Sequence, residues 1–261
     1  MNAADFKARQ IMPGLKPVLE LLHDSPNKIK TLLYRKNLRE AARIKELASR
    51  AGVKQTIVTQ AELDNICSSV GHIAAHQGVV AILSDLNFLT LPQILASTSN
   101  APVPLLLALD QVQDPGNLGA LARTAWALGA AGILIPTHDS AKPGAGAMKS
   151  SAGALARLPI CLVSNLARAL DEAEEAGFAI YGACLTNPGG KILQNAFNAV
   201  WNFPAVLVLG SERNGIRPGV LKRCGCLLAI PFARPFDSLN IAQAGSILIA
   251  FCAAARTSPT S

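Results

Sequence analysis

Leu105-Leu-Leu-Ala-Leu-Asp110-Gln-Val-Gln-Asp114-Pro-Gly-Asn117-Leu-Gly-Ala-Leu-Ala-Arg123-Thr-Ala125 is the stretch that decides the fold. Its unbroken apolar opening reads as a strand buried on both faces. Pro115 and Gly116 then make a turn, and Asn117 stands where a helix cap is expected. Beyond it Leu118, Leu121, Ala122, Ala125 and Leu128 share one helical face, with Arg123 pointing roughly opposite. The same alternation recurs. Apolar runs lie at 132–135, 178–181, 205–209 and 227–230, and helical patterns at 165–176 and 240–255. The expected class is therefore α/β, a parallel sheet covered by helices on both faces.

Upstream, residues 12–84 read as a smaller α/β domain. Helices are expected at 17–23 and 38–51, and strands at 29–34, 55–58 and 79–83. Thr59-Gln-Ala-Glu62 is a capping box that opens a third helix. Residues 85–104 read as a linker with room for a short helix near 91–96; residues 105–256 form the large domain. The end of the chain, 257–261, reads as a frayed tail.

Half of the residues are apolar, enough for a substantial core. Charge is unevenly placed: residues 1–60 hold 12 of the 24 Lys and Arg but 5 of the 17 Asp and Glu. The remainder balances, so the whole +7 lies in the first quarter. A cationic front beside a neutral body points to a polyanion partner. A membrane surface is disfavoured, because the basic residues lack an aromatic insertion face. The first ten residues carry Asp5, Lys7 and Arg9 without an apolar run, so no secretory signal is read there. The apolar stretch 241–255 is too short and Ala-rich to span a bilayer. The 6 cysteines are scattered, and the pair Cys224 and Cys226 has no matching pair to complete a zinc site. A reducing cytoplasm and no metal are expected. His72 and His76 lack the Glu of a zinc helix, and 144–149 lacks the third glycine of a dinucleotide loop.

In parallel sheets, ligands bind beyond the carboxyl ends of the strands. Three polar loops follow apolar runs here. The first is the quoted turn, whose helix start and Arg123 suit a phosphate or a developing oxyanion. The second is Leu209-Gly210-Ser-Glu212-Arg-Asn-Gly215, a carboxylate between glycines that permit tight turning. The third runs from Ile230-Pro231 to Asp237-Ser238-Leu239-Asn240, where Asp237 or Ser238 is expected to cap the last helix.

Together these loops resemble the three motifs of the SpoU (TrmH-like) family of RNA ribose methyltransferases, in order and spacing over about 150 residues. Residues 12–84 are similar to the substrate-binding domain often attached to that family, through Val18-Leu-Glu-Leu-Leu22, Glu62-Leu63 and His76-Gln-Gly-Val-Val80. Arg213-Asn214, Ala242-Gln243 and Ala75 depart from the commonest pattern without removing an acting side chain. The resemblance implies a ribosomal-protein-like RNA-binding domain followed by a SPOUT domain with a carboxyl-terminal trefoil knot. It implies a homodimer that binds S-adenosylmethionine, bent, in the knot. The reaction implied is methylation of a ribose 2′-hydroxyl, with ribosomal RNA favoured over transfer RNA. Gly210, Ile230 and Leu239 would contact the cofactor, flanked by Leu209 and Pro231. Asn117, Glu212, Ser238 and Asn240 would orient Arg123, the ribose and the closing loops. The family's arginine is a proposed base; because a guanidinium stays protonated, Arg123 is better read as a phosphate anchor and oxyanion stabiliser.

Two rival readings predict different residues. A non-catalytic RNA-binding assembly factor on the same fold predicts loss of the polar motif residues, which are intact. A nicotinamide-dependent oxidoreductase predicts a Gly-x-Gly-x-x-Gly turn where the chain reads Asp110-Gln-Val-Gln-Asp-Pro-Gly116.

Overall fold

A computed structural model describes residues 11–69, 76–83, 86, 88–186, 190–212 and 214–257. The chain forms two compact units, residues 1–87 with 143–157 and residues 88–142 with 158–261.

The first unit holds a four-stranded sheet made of β1 (Ile11–Pro13), β2 (Ile29–Tyr34), β3 (Gln55–Ile57) and β4 (Val79–Leu83), in the order β1-β4-β2-β3. β4 is buried at every residue and runs antiparallel to β1 and β2; β3 runs parallel to β2. Its helices are α1 (Leu15–Asp24), α2 (Ala41–Arg50) and α3 (Gln60–Ser69). The capping box is present: Glu62 accepts from the Thr59 backbone N–H at 2.7 Å, and the Thr59 hydroxyl accepts from the Glu62 N–H at 3.3 Å. The Thr59 backbone N–H and, at 2.8 Å, the Thr59 hydroxyl both donate to the Glu62 carboxyl and hold it below its usual range. Ile11, Leu33, Leu63, Ile66, Val80 and Ile82 form the core. β1 was not anticipated: its three residues end in Pro13, which cannot donate to a strand ladder and reads as a turn former.

The second unit holds β5 (Val103–Asp110), β6 (Ala130–Pro136), β7 (Ile160–Val163), β8 (Ala179–Ala183), β9 (Ile192–Asn195), β10 (Ala205–Gly210) and β11 (Cys226–Ala229). They form one sheet in the order β7-β6-β5-β10-β8-β11-β9, parallel at every pairing. β5 and β10 are buried throughout, which is why their sequences lack polar alternation. β7 and β9 escaped the sequence reading. Both are four-residue edge strands, and β9 leaves Ile192 66% exposed.

α4 (Leu91–Ser97) falls within the stretch expected to be linker. Gln93 accepts from the Thr90 N–H at 2.9 Å at its start, and Ile94 is fully buried in the second unit's core. Much of 85–104 is therefore folded structure rather than a free connector. α5 (Pro115–Ala127) buries Leu118, Leu121, Ala122 and Ala125, whereas Leu128, just past its end, is exposed. α6 (Ala145–Ser150) belongs to the first unit, where it packs on β1, although its chain position lies between strands of the second. α7 (Leu166–Glu175), α8 (Pro218–Leu221) and α9 (Ile241–Thr257) complete the second unit. α9 packs on α5, β5 and β10. Gly245 allows the approach: a Cβ there would lie 2.4 Å from Leu121 Cδ2. Beside it the Thr124 and Ser246 hydroxyls are 2.9 Å apart. Among the described residues no helix is long and apolar enough to cross a membrane.

Candidate active site

From β5 the chain steps outward through β6 and β7, then returns so that β10 lies on the other side of β5. Such a reversal opens a crevice at the carboxyl ends of the strands. β5 ends at Asp110 and β10 at Gly210, which are cross-strand partners. After Gly210 the chain folds back on itself: Ser211 and Gly215 exchange backbone hydrogen bonds of 3.0 and 2.9 Å, and Gly215 takes φ +64°. A Cβ at Gly210 would lie 2.2 Å from the Gly215 carbonyl carbon, so only glycine fits beneath this turn.

Asp110 anchors the turn's far end. Its fully buried carboxylate accepts from the Arg217 backbone N–H and Nε, both at 2.8 Å, and from Nη2 at 2.7 Å. A buried charge is tolerable only when paired in this way. The sequence reading quoted Asp110 without a role. The signal was present: a carboxylate closing a wholly apolar strand needs a partner.

Asn117, Glu212 and Asn240 join the three motif loops in one hydrogen-bonded triangle. Asn117 Nδ2 donates to Glu212 Oε1 at 2.5 Å. Asn240 Nδ2 donates to Asn117 Oδ1 at 3.1 Å and to Glu212 Oε1 at 3.2 Å. Two capping expectations are corrected here. Asp114, not Asn117, caps α5, accepting from the Gly116 and Asn117 N–H groups at 3.1 and 3.2 Å. Pro115 takes the first helical position, which suits its fixed φ, and so puts Asn117 inside the first turn with its amide free for Glu212. Asn240, not Asp237 or Ser238, caps α9, its Oδ1 accepting from Ala242 N–H at 2.9 Å. Each end of the Asn240 amide is thus employed, one on the helix and one on the triangle.

Beside the triangle lies a cavity of about 410 Å3. Its walls come from the chain following β8 (Cys184, Leu185, Thr186), β10 (Gly210, Glu212, Ile216) and β11 (Ile230, Leu239), with α9 closing one side. Of the expected cofactor residues, Gly210, Ile230 and Leu239 line it. Leu209 is fully buried and Pro231 is exposed, and neither faces the cavity. Glu212 and Ser238 line it as well; Asn117 and Asn240 adjoin it through Glu212. Cys184, Leu185, Thr186 and Leu248 were missed. No local pattern marks them, because strand order alone brings them to the crevice. Burial pushes the Cys184 thiol above its ordinary pKa.

Arg123 stands apart. It follows Asn117 by six residues, which is about 9 Å along the helix axis and roughly 120° around it. It is exposed, lines no part of the cavity, and its side chain has no ion pair or hydrogen bond among the described residues. Within one copy of the chain, the triangle therefore does not orient Arg123, contrary to expectation.

The described residues contain no group of three or more His, Cys, Asp or Glu arranged to hold a metal. His76 is engaged at both ring nitrogens, with the Gly78 N–H at 3.0 Å and Asp64 at 2.8 Å. His72 lies outside the described residues.

Fold and site together define a two-unit α/β protein with a small-molecule crevice at the carboxyl edge of a parallel sheet, closed by loops tied through one carboxylate. The chain belongs to the SpoU rRNA methylase family of RNA methyltransferases, whose model matches residues 104–250. Residues 11–89 match a second model, described as RNA 2′-O ribose methyltransferase substrate binding. Among curated relatives, an uncharacterized tRNA/rRNA methyltransferase of Mycobacterium marinum is 34% identical over 241 residues, covering 91% of this chain and 74% of that protein. YacO of Bacillus subtilis, whose name assigns it to the TrmH family of tRNA/rRNA methyltransferases, is 32% identical and covers 90% of this chain and 92% of that one. Among solved structures, an rRNA methyltransferase from Sinorhizobium meliloti superposes with a TM-score of 0.75 at 25% identity, covering 96% of this chain and 93% of that one. The AdoMet complex of AviRb from Streptomyces viridochromogenes gives 0.73 at 23% identity, covering 94% and 90%, and shares the fold.

Proposed function

We propose that this protein transfers a methyl group from S-adenosylmethionine to a ribose 2′-hydroxyl, with ribosomal RNA as the substrate. The observation that carries the reading is the Asn117–Glu212–Asn240 triangle, which ties all three motif loops beside a cavity lined by Gly210, Ile230 and Leu239. The cavity's volume and its apolar lining with a few polar groups suit a nucleoside joined to an amino acid. Backbone groups at Gly210, Ile230 and Leu239 are the ones to hold the cofactor, and Leu185, Ile216 and Leu248 to enclose its base. Two AdoMet-bound structures of the same fold support the cofactor. The front model's description supports the 2′-hydroxyl, and the ribosomal target rests on relatives named for tRNA and rRNA alike.

The bound cofactor supplies an electrophilic methyl on a sulfonium. The protein's own task is to present the ribose oxygen in line with that methyl, which can supply much of the acceleration. The ribose hydroxyl would give up its proton to solvent, and the protein's groups would steady the charge developing on its oxygen. Arg123, protonated throughout, stabilises the oxygen's developing charge and holds the adjacent phosphate. Glu212 keeps the loops closed. Because Arg123 lies away from its own cavity, a complete site calls for a second copy, and the exposed Trp126 and Leu128 beside it support a covered face there. The reading therefore includes a homodimer in the cytoplasm. It also includes a trefoil knot, supported by β10 lying between β5 and β8 while α9 returns over β5 and β10.

Arg123→Ala tests the assignment. Loss of methyl transfer by at least a hundredfold, with cofactor affinity by calorimetry unchanged, is the expected result. Full activity in that variant refutes the role of Arg123. Absence of cofactor binding by the wild-type protein favours a non-catalytic RNA-binding factor instead.

A further inference from the structure

We propose that the first unit carries a cleft for one unpaired nucleotide of the RNA substrate, at the carboxyl ends of β2 and β3. The proposal rests on the reading of the chain as an RNA methyltransferase and assigns to particular residues a recognition step that no comparison locates. A cavity of about 360 Å3 opens there, lined by Arg35, Lys36, Asn37, Ile57, Gln60 and Glu62 among others. It is a separate cavity from the one at the cofactor crevice.

Each part of a nucleotide meets a suitable group. Ile57 is 58% exposed and, with Val58 beside it, offers an apolar platform to the face of a base. Gln60 Nε2 donates to the Asp64 carboxylate at 3.0 Å. A carboxylate can only accept, so this bond fixes the amide's orientation and leaves Gln60 Oε1 as an acceptor for a base edge. Asn37 is exposed and supplies both donor and acceptor. Glu62 does not compete as a loose charge, because one of its oxygens is held by the Thr59 N–H and hydroxyl at 2.7 and 2.8 Å.

Arg35 and Lys36 provide the phosphate contacts. Among the described residues, Arg35 Nε is buried with no hydrogen-bond partner. It lies against Gly78, where a Cβ would approach it to 2.8 Å and where φ is +81°. Glycine at 78 thus serves twice, by adopting that φ and by letting the guanidinium lie on the backbone. The side chain is placed by packing, with no ion pair among the described residues; the Asp64 carboxyl acts on it electrostatically without holding it, so the guanidinium can still meet an anion. Lys36 is exposed beside it. The chain's entire net charge of +7 resides in residues 1–60, the segment that supplies all but one of the residues lining this cleft. An A-form duplex keeps its bases stacked inside, whereas single-stranded loops can insert one base into such a cavity.

The test uses the full-length protein, ribosomal RNA transcribed in vitro without modification, and a random-sequence RNA duplex. Lys36→Glu combined with Asn37→Ala should weaken binding to the ribosomal transcript at least tenfold. The same double variant should lower the slope of log K against log salt by about 1. Lys45→Glu, an exposed charge on α2 away from the cleft, controls for net charge and should cost about twofold or less. In turnover, KM for RNA should rise while kcat and cofactor affinity hold. Ultraviolet crosslinks from 4-thiouridine RNA should fall between residues 35 and 62. Wild-type affinity in the double variant, a loss no larger than that of Lys45→Glu, or equal binding to the duplex would overturn the cleft. If no methyl transfer is detected but the double variant still loses RNA, the cleft stands and the methyltransferase reading falls. If transfer proceeds with wild-type KM in the double variant, the cleft alone falls.

Discussion

Gly210→Ala is the sharpest perturbation available. The added methyl would sit 2.2 Å from the Gly215 carbonyl carbon, 2.3 Å from the Ile216 nitrogen and 2.4 Å from the Gly215 oxygen. Ordinary carbon contacts begin near 3.5 Å, so the turn must retreat by about 1 Å. All three obstacles are backbone atoms, so no rotamer change relieves them. Retreat breaks the two Ser211–Gly215 hydrogen bonds, worth about 1 kcal/mol each, and pulls Glu212 from Asn117 and Asn240, bonds to a charge worth about 1.5–3 kcal/mol each when buried. Glu212 is exposed, so solvent recovers much of that last part. A net loss of about 2–4 kcal/mol follows, which for a chain of this size lowers Tm by roughly 4–16 °C. Gly219→Ala is the control: a Cβ there meets nothing within 4 Å, and the site is helical. Differential scanning calorimetry reads the stability, and titration calorimetry with S-adenosylmethionine reads the crevice. A Gly210→Ala protein that melts within 1 °C of the Gly219→Ala protein and binds cofactor equally well would refute the argument.

Three further outcomes are expected. Asp110→Asn leaves the Arg217 guanidinium without its counter-charge; because that side chain is 42% exposed, the cost should be about 2–3 kcal/mol, below that of a fully buried pair, as read by urea unfolding. Cys184 lines the cavity, so saturating S-adenosylmethionine should slow its alkylation by N-ethylmaleimide at least fivefold, while Cys226, outside the cavity, should be unaffected by mass-spectrometric peptide analysis. Hydrogen bonds from Arg223 hold the Asp171 carboxyl below its usual range. A depressed folded pKa stabilises above the unfolded pKa and ceases to do so as pH falls through the folded one. Arg223→Ala should therefore destabilise the protein near neutral pH, with the difference from wild type shrinking once Asp171 is protonated, as thermal melts across pH will show.

What the sequence disclosed follows from what is local. β5 and β10 were legible because burial on both faces strips a strand of polar residues. The capping box at Thr59 was legible because its parts lie three residues apart. β1, β7 and β9 were not: β1 ends in Pro13, and β7 and β9 are four-residue edge strands of the large sheet. The expected helix at 38–51 formed only from Ala41. Asn117, Glu212 and Asn240 were each recognisable at a strand end, but their union depends on strand order, which periodicity does not encode. The lining by Cys184 and Thr186 was hidden for the same reason. The separation of Arg123 from the triangle, by contrast, was available from helix geometry and conflicts with the roles first expected of those residues.

Methyl transfer to a ribose oxygen is open to direct measurement. Its most direct measurement is incubation of the wild-type protein with S-adenosylmethionine labelled in the methyl group and unmodified ribosomal RNA, followed by alkaline hydrolysis and mass spectrometry. Label is expected in an alkali-resistant dinucleotide carrying a 2′-O-methyl ribose at one position. Label on a base, or none on RNA although the protein binds the cofactor, would contradict it.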